Sequence, residues 1–344
     1  MIVFANSPAP SRGTSSFRCL ALVLAVSGLN ALISVPGTTE AMAGERPEQL
    51  VLISFDGAHD NALWDRSLKL ADSTGARFTY FLSCTFLMSK ADSHGYKAPG
   101  HSAGRSNVGF APDKADALTR LGHIWAAHQT GHEIGSHGCG HFDGKSWSKS
   151  DWLSEFAQFD TALANAWGNN GAEPPAGWAA FAKSGIQGFR APYLSTGDGL
   201  YAALTDRGFV YDASGVSRDP ATPDFTKPTA RFALPLIPEG PKQRRLIAMD
   251  YNLFVRHSGG DETPSKSKEF EQRTLEAFRA AFEAEYSGKR RPLQLGFHFV
   301  EMNGGAYWNA LERFTQETCG RPDVACVTYQ EAILRLNGRN GSAS

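Results

Sequence analysis

Several broad classes of protein are excluded by what this sequence lacks. Among its 344 residues, 34 lysines and arginines nearly cancel 35 aspartates and glutamates, leaving a formal net charge of -1. A nucleic-acid footprint or a polybasic membrane patch needs an excess of cation, so neither partner is expected. No C-x-x-C pair occurs, which argues against a zinc–thiolate site. Past the first forty-odd residues no segment could span a membrane, so stable membrane insertion is not expected. Internal repeats and low-complexity linkers are also missing. With 42% hydrophobic and 20% charged residues, the chain can bury a sizeable core. Its length suits one α/β barrel or two smaller domains.

The N-terminus reads as an export signal. Arg12 and Arg18 precede an apolar stretch from Cys19 to Val35, and Ala41-Met42-Ala43 supplies an A-x-A cleavage pattern. The alternative is a retained anchor, but Ser27, Asn30 and Ser34 interrupt the stretch. Residues 1–43 are therefore expected to be a signal peptide, and the mature protein periplasmic or secreted. Four cysteines would remain: Cys84, Cys139, Cys319 and Cys326. An even number in an exported chain suggests disulfides. Cys319 and Cys326 bracket the short segment "CGRPDVAC", which leaves Cys84 with Cys139.

Strand-like and helix-like segments then alternate. "LVLISF" (50–55) is the continuous apolar run of a strand buried on both faces. "RFTYFLSC" (77–84), "HEIGSH", "GFRAPY", "FVYDAS" and "LQLGFHF" (293–299) read as further strands. Helices are expected at 113–129, from Ser148 (with Asp151, a capping box), and at 198–207, 267–286, 306–318 and 329–337. Stretches 91–112, 168–187 and 215–245, rich in Gly, Pro and Ser, read as long loops. Repeated β-then-α units argue for a parallel sheet, closed or partly closed into a barrel.

Polar groups collect where these strands end. Asp56 follows the first, His137 and His141 the third, Arg190 and Tyr193 the next; Asp212 and His298 lie in later strands. In parallel α/β folds the C-terminal strand ends are where sites are built. "HGCGH" sets two histidines four apart between glycines, a spacing that suits two imidazoles on one metal. His94, His101, His123, His128 and His257 fall in loops or helices and read as surface or structural.

In the order "SFDG", "GHEIGSHGCGH", "RAPY", "LGFHF", these segments resemble the motifs of the polysaccharide deacetylase family, the NodB homology domain. The resemblance spans residues 50 to 335, and "FRAPYL" and "YDAS" look like the chitin deacetylases of that superfamily. It implies a single domain (44–338, then a disordered tail 339–344) folded as a distorted (β/α) barrel. It also implies removal of acetyl groups from an acetylated glycan with a divalent metal, usually zinc. Residue by residue, Asp56 would be the catalytic base and His137 and His141 metal ligands. Arg190 would hold the Asp56 carboxylate, and the backbone N–H of Tyr193 would bind the oxyanion. His298 would be the general acid, with Asp212 raising its proton affinity.

One position departs from that pattern. The family's second acid, its third metal ligand, is Gly57 here. Asp60 is the favoured replacement, because Gly57-Ala58 offers little resistance to a turn that brings it back. His59 is a second candidate, and Asp56 itself a third. Asp60 could equally be an ordinary helix N-terminal residue. Two rival functions remain: a carbohydrate-binding relative without catalysis, and an amidohydrolase acting on a non-sugar C–N bond. No feature of the sequence specifies an oligomeric state.

Overall fold

The run Leu50-Val51-Leu52-Ile53 forms a central strand with no side chain in water. A computed structural model describes residues 46–341 of the chain. The expected signal peptide and the last residues of the expected tail lie outside them.

The first half contains β1 (Gln49–Gly57), α1 (Asn61–Thr74), β2 (Thr79–Leu82), α2 (Lys114–Gln129), β3 (Glu133–Ser136) and α3 (Lys149–Asn169). It continues through α4 (Trp178–Ser184), β4 (Gly188–Phe189) and α5 (Asp198–Arg207). Next come β5 (Tyr211–Ser217), β6 (Ala230–Glu239), β7 (Arg244–Ile247), α6 (Asp250–Ser258) and α7 (Ser267–Ser287). The chain finishes with β8 (Leu293–His298), α8 (Ala306–Thr318), β9 (Val324–Cys326) and α9 (Tyr329–Gly341).

The strands order as β7-β6-β5-β4-β3-β2-β1-β8, with β9 also paired to β1. All pairings are parallel except the β6–β7 hairpin. The sheet curls without closing fully: an isolated bridge, Met249 to Gly296, links the segment after β7 to β8. This is the distorted (β/α) barrel expected, in a single domain.

Local chemistry explains the elements. The capping box at Ser148 and Asp151 forms as read, and Trp152, Phe156, Phe159 and Leu163 turn one face of α3 into the core. Both expected disulfides are present, Cys84–Cys139 and Cys319–Cys326. Two stretches expected as loops contain structure. Residues 168–187 hold α4, and 215–245 hold most of the β6–β7 hairpin. Pro235 and Pro238 masked β6, because proline usually disqualifies a strand unless it lies near an edge. Helix α9 also continues to Gly341, past the expected start of the tail.

Candidate active site

The site begins with register. Asp56, near the end of β1, is the direct Cα partner of His298, the last residue of β8. Phe189 of β4 pairs with Ser136 of β3, so Arg190 and His137 follow at the same level. Four groups read from sequence are thus gathered at one mouth of the barrel.

Arg190 is wholly buried, and each of its three guanidinium nitrogens donates a hydrogen bond. Its Nη1 donates to Asp56 Oδ1 and to Ser54 Oγ, each at 2.8 Å. Its Nε donates to the Ala213 carbonyl at 3.1 Å and its Nη2 to the Tyr329 hydroxyl at 2.8 Å. The guanidinium also lies over the Phe81 ring, 4.4 Å from its centre. Burial alone would raise the Asp56 carboxyl, but the charge of Arg190, helped by His137 and His298, holds it below the usual carboxylate range. Asp56 is an anion at neutral pH.

His298 is tuned the other way. Burial would depress it, yet the carboxylate of Asp250 pushes it up to about 8. Asp250 Oδ1 lies 2.6 Å from His298 Nδ1, and Oδ2 accepts the His298 backbone N–H at 2.8 Å. A carboxylate can only accept, so Nδ1 carries the proton and Nε2 is left for the cavity.

This corrects the expected partner. Asp212 does not meet His298: its Oδ1 accepts from the Ser214 hydroxyl at 2.5 Å and the Ser214 N–H at 3.1 Å. Ser214 Oγ in turn accepts the Ala191 N–H at 2.8 Å, so Asp212 braces the segment after β4. Burial pushes its carboxyl up to about 6. Asp212 sits inside β5, paired with Phe189 and Arg231, and its side chain bonds to Ser214 two residues further along its own strand. The residue missed from sequence, Asp250, reaches His298 because the Met249–Gly296 bridge sets it beside the end of β8. Its one signal was an acid directly after an apolar strand, "LIAMD".

His137 donates from Nδ1 to the Arg190 carbonyl at 2.8 Å. That bond fixes the tautomer with the Nε2 lone pair free, as a carbonyl partner commonly does for metal-binding imidazoles. Burial depresses it to about 3, so it is neutral. His141 stands 5.0 Å from it, ring centre to ring centre, and is likewise depressed by burial. Between them Cys139 is tied to Cys84, and its N–H donates to buried Glu155 at 2.7 Å. Tyr193, at φ 58°, turns its ring against His141 at 4.6 Å.

Asp60 is not brought to this group. It caps α1, accepting the Leu63 N–H at 2.9 Å. Gly57 (φ 85°) and Ala58 (φ 51°) take the chain out of β1 in the left-handed region and direct residue 60 onto the helix. A Cβ at Gly57 would find space, its nearest neighbour being Phe86 at 3.8 Å, but the backbone there strains any other residue.

Two cavities meet at these residues. The larger, about 560 Å³, is bounded by Asp56, His137, His141, His298, Tyr193 and Tyr251. The smaller, about 200 Å³, shares the acid and the three histidines and adds His59, Phe86 and Phe299. Among aromatics that could stack on a sugar ring, Trp178 and Trp308 are buried and Trp147 packs on the core. Tyr251, 54% exposed, borders the larger cavity.

Does the donor set fit a metal? His137 and His141 do: both are neutral, adjacent, and one has its tautomer fixed. A third donor does not stand with them. As the side chains lie, no group of three His, Cys, Asp or Glu among the described residues could hold an ion.

No family model and no curated protein matches this sequence. Solved structures do. A Mycobacterium smegmatis protein assigned as a polysaccharide deacetylase superposes with a TM-score of 0.55 at 17% identity, over 86% of this chain and 93% of that one. A Pseudomonas aeruginosa PAO1 protein assigned likewise gives 0.50 at 16% identity, over 83% and 90%. The PuuE allantoinase gives 0.51 at 15% identity, over 89% and 98%. Through these likenesses, and through the curled sheet described above, the chain is shown to have the NodB-type fold of the polysaccharide deacetylases.

Proposed function

We propose that this protein is an exported hydrolase that removes acetyl groups from an N-acetylated polysaccharide or oligosaccharide, chitin-like or of a cell wall. One observation carries the reading. Two carboxylate-linked pairs, Asp56–Arg190 and Asp250–His298, face each other in register at the barrel mouth. One keeps a base anionic and the other keeps an acid protonated at the same pH, as acid–base hydrolysis requires.

In this mechanism water attacks the acetyl carbon while Asp56 Oδ2, the oxygen not held by Arg190, takes its proton. The N–H of Tyr193 steadies the developing oxyanion. His298 Nε2 then protonates the departing amine as the C–N bond breaks, giving acetate and a free amino sugar. His137 and His141 would hold a divalent ion, zinc by donor type, which when bound supplies Lewis-acid polarisation of the carbonyl. The two disulfides are compatible with an exported protein. Among the described residues no helix is long and apolar enough to cross a membrane, in keeping with a glycan partner in aqueous surroundings.

Acetate release from a panel of acetylated glycans tests the proposal. The unmodified protein should release acetate, and His298→Ala should lower turnover about 10²–10⁴-fold, the scale of a lost general acid. Turnover of small ureides or amides without acetate release would transfer the site to the non-sugar amidohydrolase reading. Glycan binding with no turnover of either would leave the non-catalytic one.

A further inference from the structure

We propose that the larger cavity selects an electrically neutral acetylated sugar ring, read by Asn107, Tyr193 and Asn252, and rejects rings bearing a carboxylate or phosphate. The inference rests on the deacetylase reading of this site and narrows its substrate class.

The first argument is where the ring must lie. The reacting acetyl carbon belongs between Asp56 and His298, which are direct partners across β1 and β8. The sugar ring is joined to that acetyl group through nitrogen, so it lies beyond the acid–base pair, against the outer walls. Those walls come from residues 107–108, 191–194 and 247–252. Among the described residues, no lysine or arginine borders this cavity, and no acid other than Asp56. Its volume, about 560 Å³, is that of a small-ligand site.

The second argument is what the walls offer in place of charge. Asn107 Nδ2 donates to the His141 carbonyl at 3.0 Å, and a carbonyl can only accept, so the orientation of the amide is fixed. The same nitrogen reaches the Tyr193 hydroxyl at 3.5 Å. Asn107 Oδ1 is left as an acceptor and the Tyr193 hydroxyl proton as a donor, neither with a partner among the described residues. The backbone N–H of Asn107 donates to the Gly140 carbonyl at 2.8 Å, which pins this wall in place. On α6, the half-buried Asn252 has a side-chain amide that also lacks a partner among the described residues.

A sugar hydroxyl both donates and accepts, so it can pair with any of these groups. An ionised carboxylate or phosphate only accepts. Asn107 Oδ1 would repel it, and the neutral donors of Tyr193 and Asn252 do not offset the water that a buried anion loses. Tyr251, Val108, Leu194 and Ile247 add apolar surface that suits the uncharged face of a ring. The walls fit hydroxyls.

The test uses fully N-acetylated chitotetraose and an N-acetylated oligosaccharide in which unsubstituted rings alternate with rings carrying a lactyl ether. Mass spectrometry of the product assigns each lost acetyl group to its ring. The unmodified protein should release acetate from the tetramer, and in the alternating chain should favour unsubstituted rings about 10–100-fold. Methyl esterification of the lactyl carboxylate keeps its bulk, removes its charge, and should recover most of that loss. Asn107→Ala and Asn252→Ala should each raise KM for the tetramer about 3–10-fold, the scale of one lost hydrogen bond, with a smaller fall in kcat. Asn252→Arg places a cation on the wall and should narrow the preference between rings at least about tenfold, as should Tyr251→Lys from an exposed position. Thermal unfolding confirms that each variant is folded. Equal release from the two kinds of ring overturns the proposal. So does a preference that neither the ester nor either cationic variant shifts. Acetate from neither substrate removes the deacetylase reading, and this proposal with it.

Discussion

The floor and the rim of the barrel mouth are built on opposite principles. On the floor every charged group has a charged or hydrogen-bonding partner. Arg190 has four hydrogen-bond acceptors and a ring beneath it, Asp56 has its arginine, and Asp250 accepts two bonds from His298. On the rim, His141, Tyr193 and Leu194 all take left-handed backbone without being glycine, and the His59 and Tyr193 side chains stand in solvent. The difference follows from dielectric. A charge under a sheet is tolerable only when fully bonded, so the floor can hold one arrangement. The rim has water as a fallback partner, and its residues can be exchanged or moved. The departure from the family pattern, Gly57, falls on that rim.

Breaking the floor should have the largest effect. Arg190→Met leaves Asp56 buried without its cation, and should cost about 3–5 kcal/mol of stability along with all acetate release, read by denaturant unfolding and product assay. Tyr329→Phe is gentler: it takes one acceptor from a buried guanidinium and should cost about 1.5–3 kcal/mol, with turnover falling more than KM rises. The rim should respond less. Asp60→Ala removes a helix cap and should cost about 1 kcal/mol by the same unfolding assay, with zinc affinity unchanged. A loss of metal in Asp60→Ala would instead return Asp60 to the site and dissolve the contrast between floor and rim.

How far the sequence discloses this site depends on the kind of contact. Asp56, His137, Arg190 and His298 were legible because each lies at or just beyond a strand end, and parallel register then brings them to one level. Asp250 was not legible. Its place depends on a hairpin carrying two prolines and on one bridge between segments 47 residues apart, which no local periodicity encodes. Asp212 was misassigned for the matching reason: a carboxylate near a strand end looks available, and only the Ser214 hydroxyl shows that it is engaged. Asp60 illustrates a competition that sequence alone left open. A carboxylate ahead of an apolar helical run can cap or ligate, and the left-handed turn at Gly57 and Ala58 decides for the cap.

The central claim is that the two carboxylate pairs divide base from acid, and the pH dependence of kcat/KM for acetate release tests it most directly. His298 is an acid only while protonated, so activity should persist at neutral pH and fall as pH rises through about 8. Asp250→Asn removes the charge that raises this value while burial continues to depress it, so the alkaline limb should move to lower pH and the maximum should shrink. Asp212→Asn should leave that limb where it is. An alkaline limb unmoved by Asp250→Asn, or displaced instead by Asp212→Asn, would contradict the account.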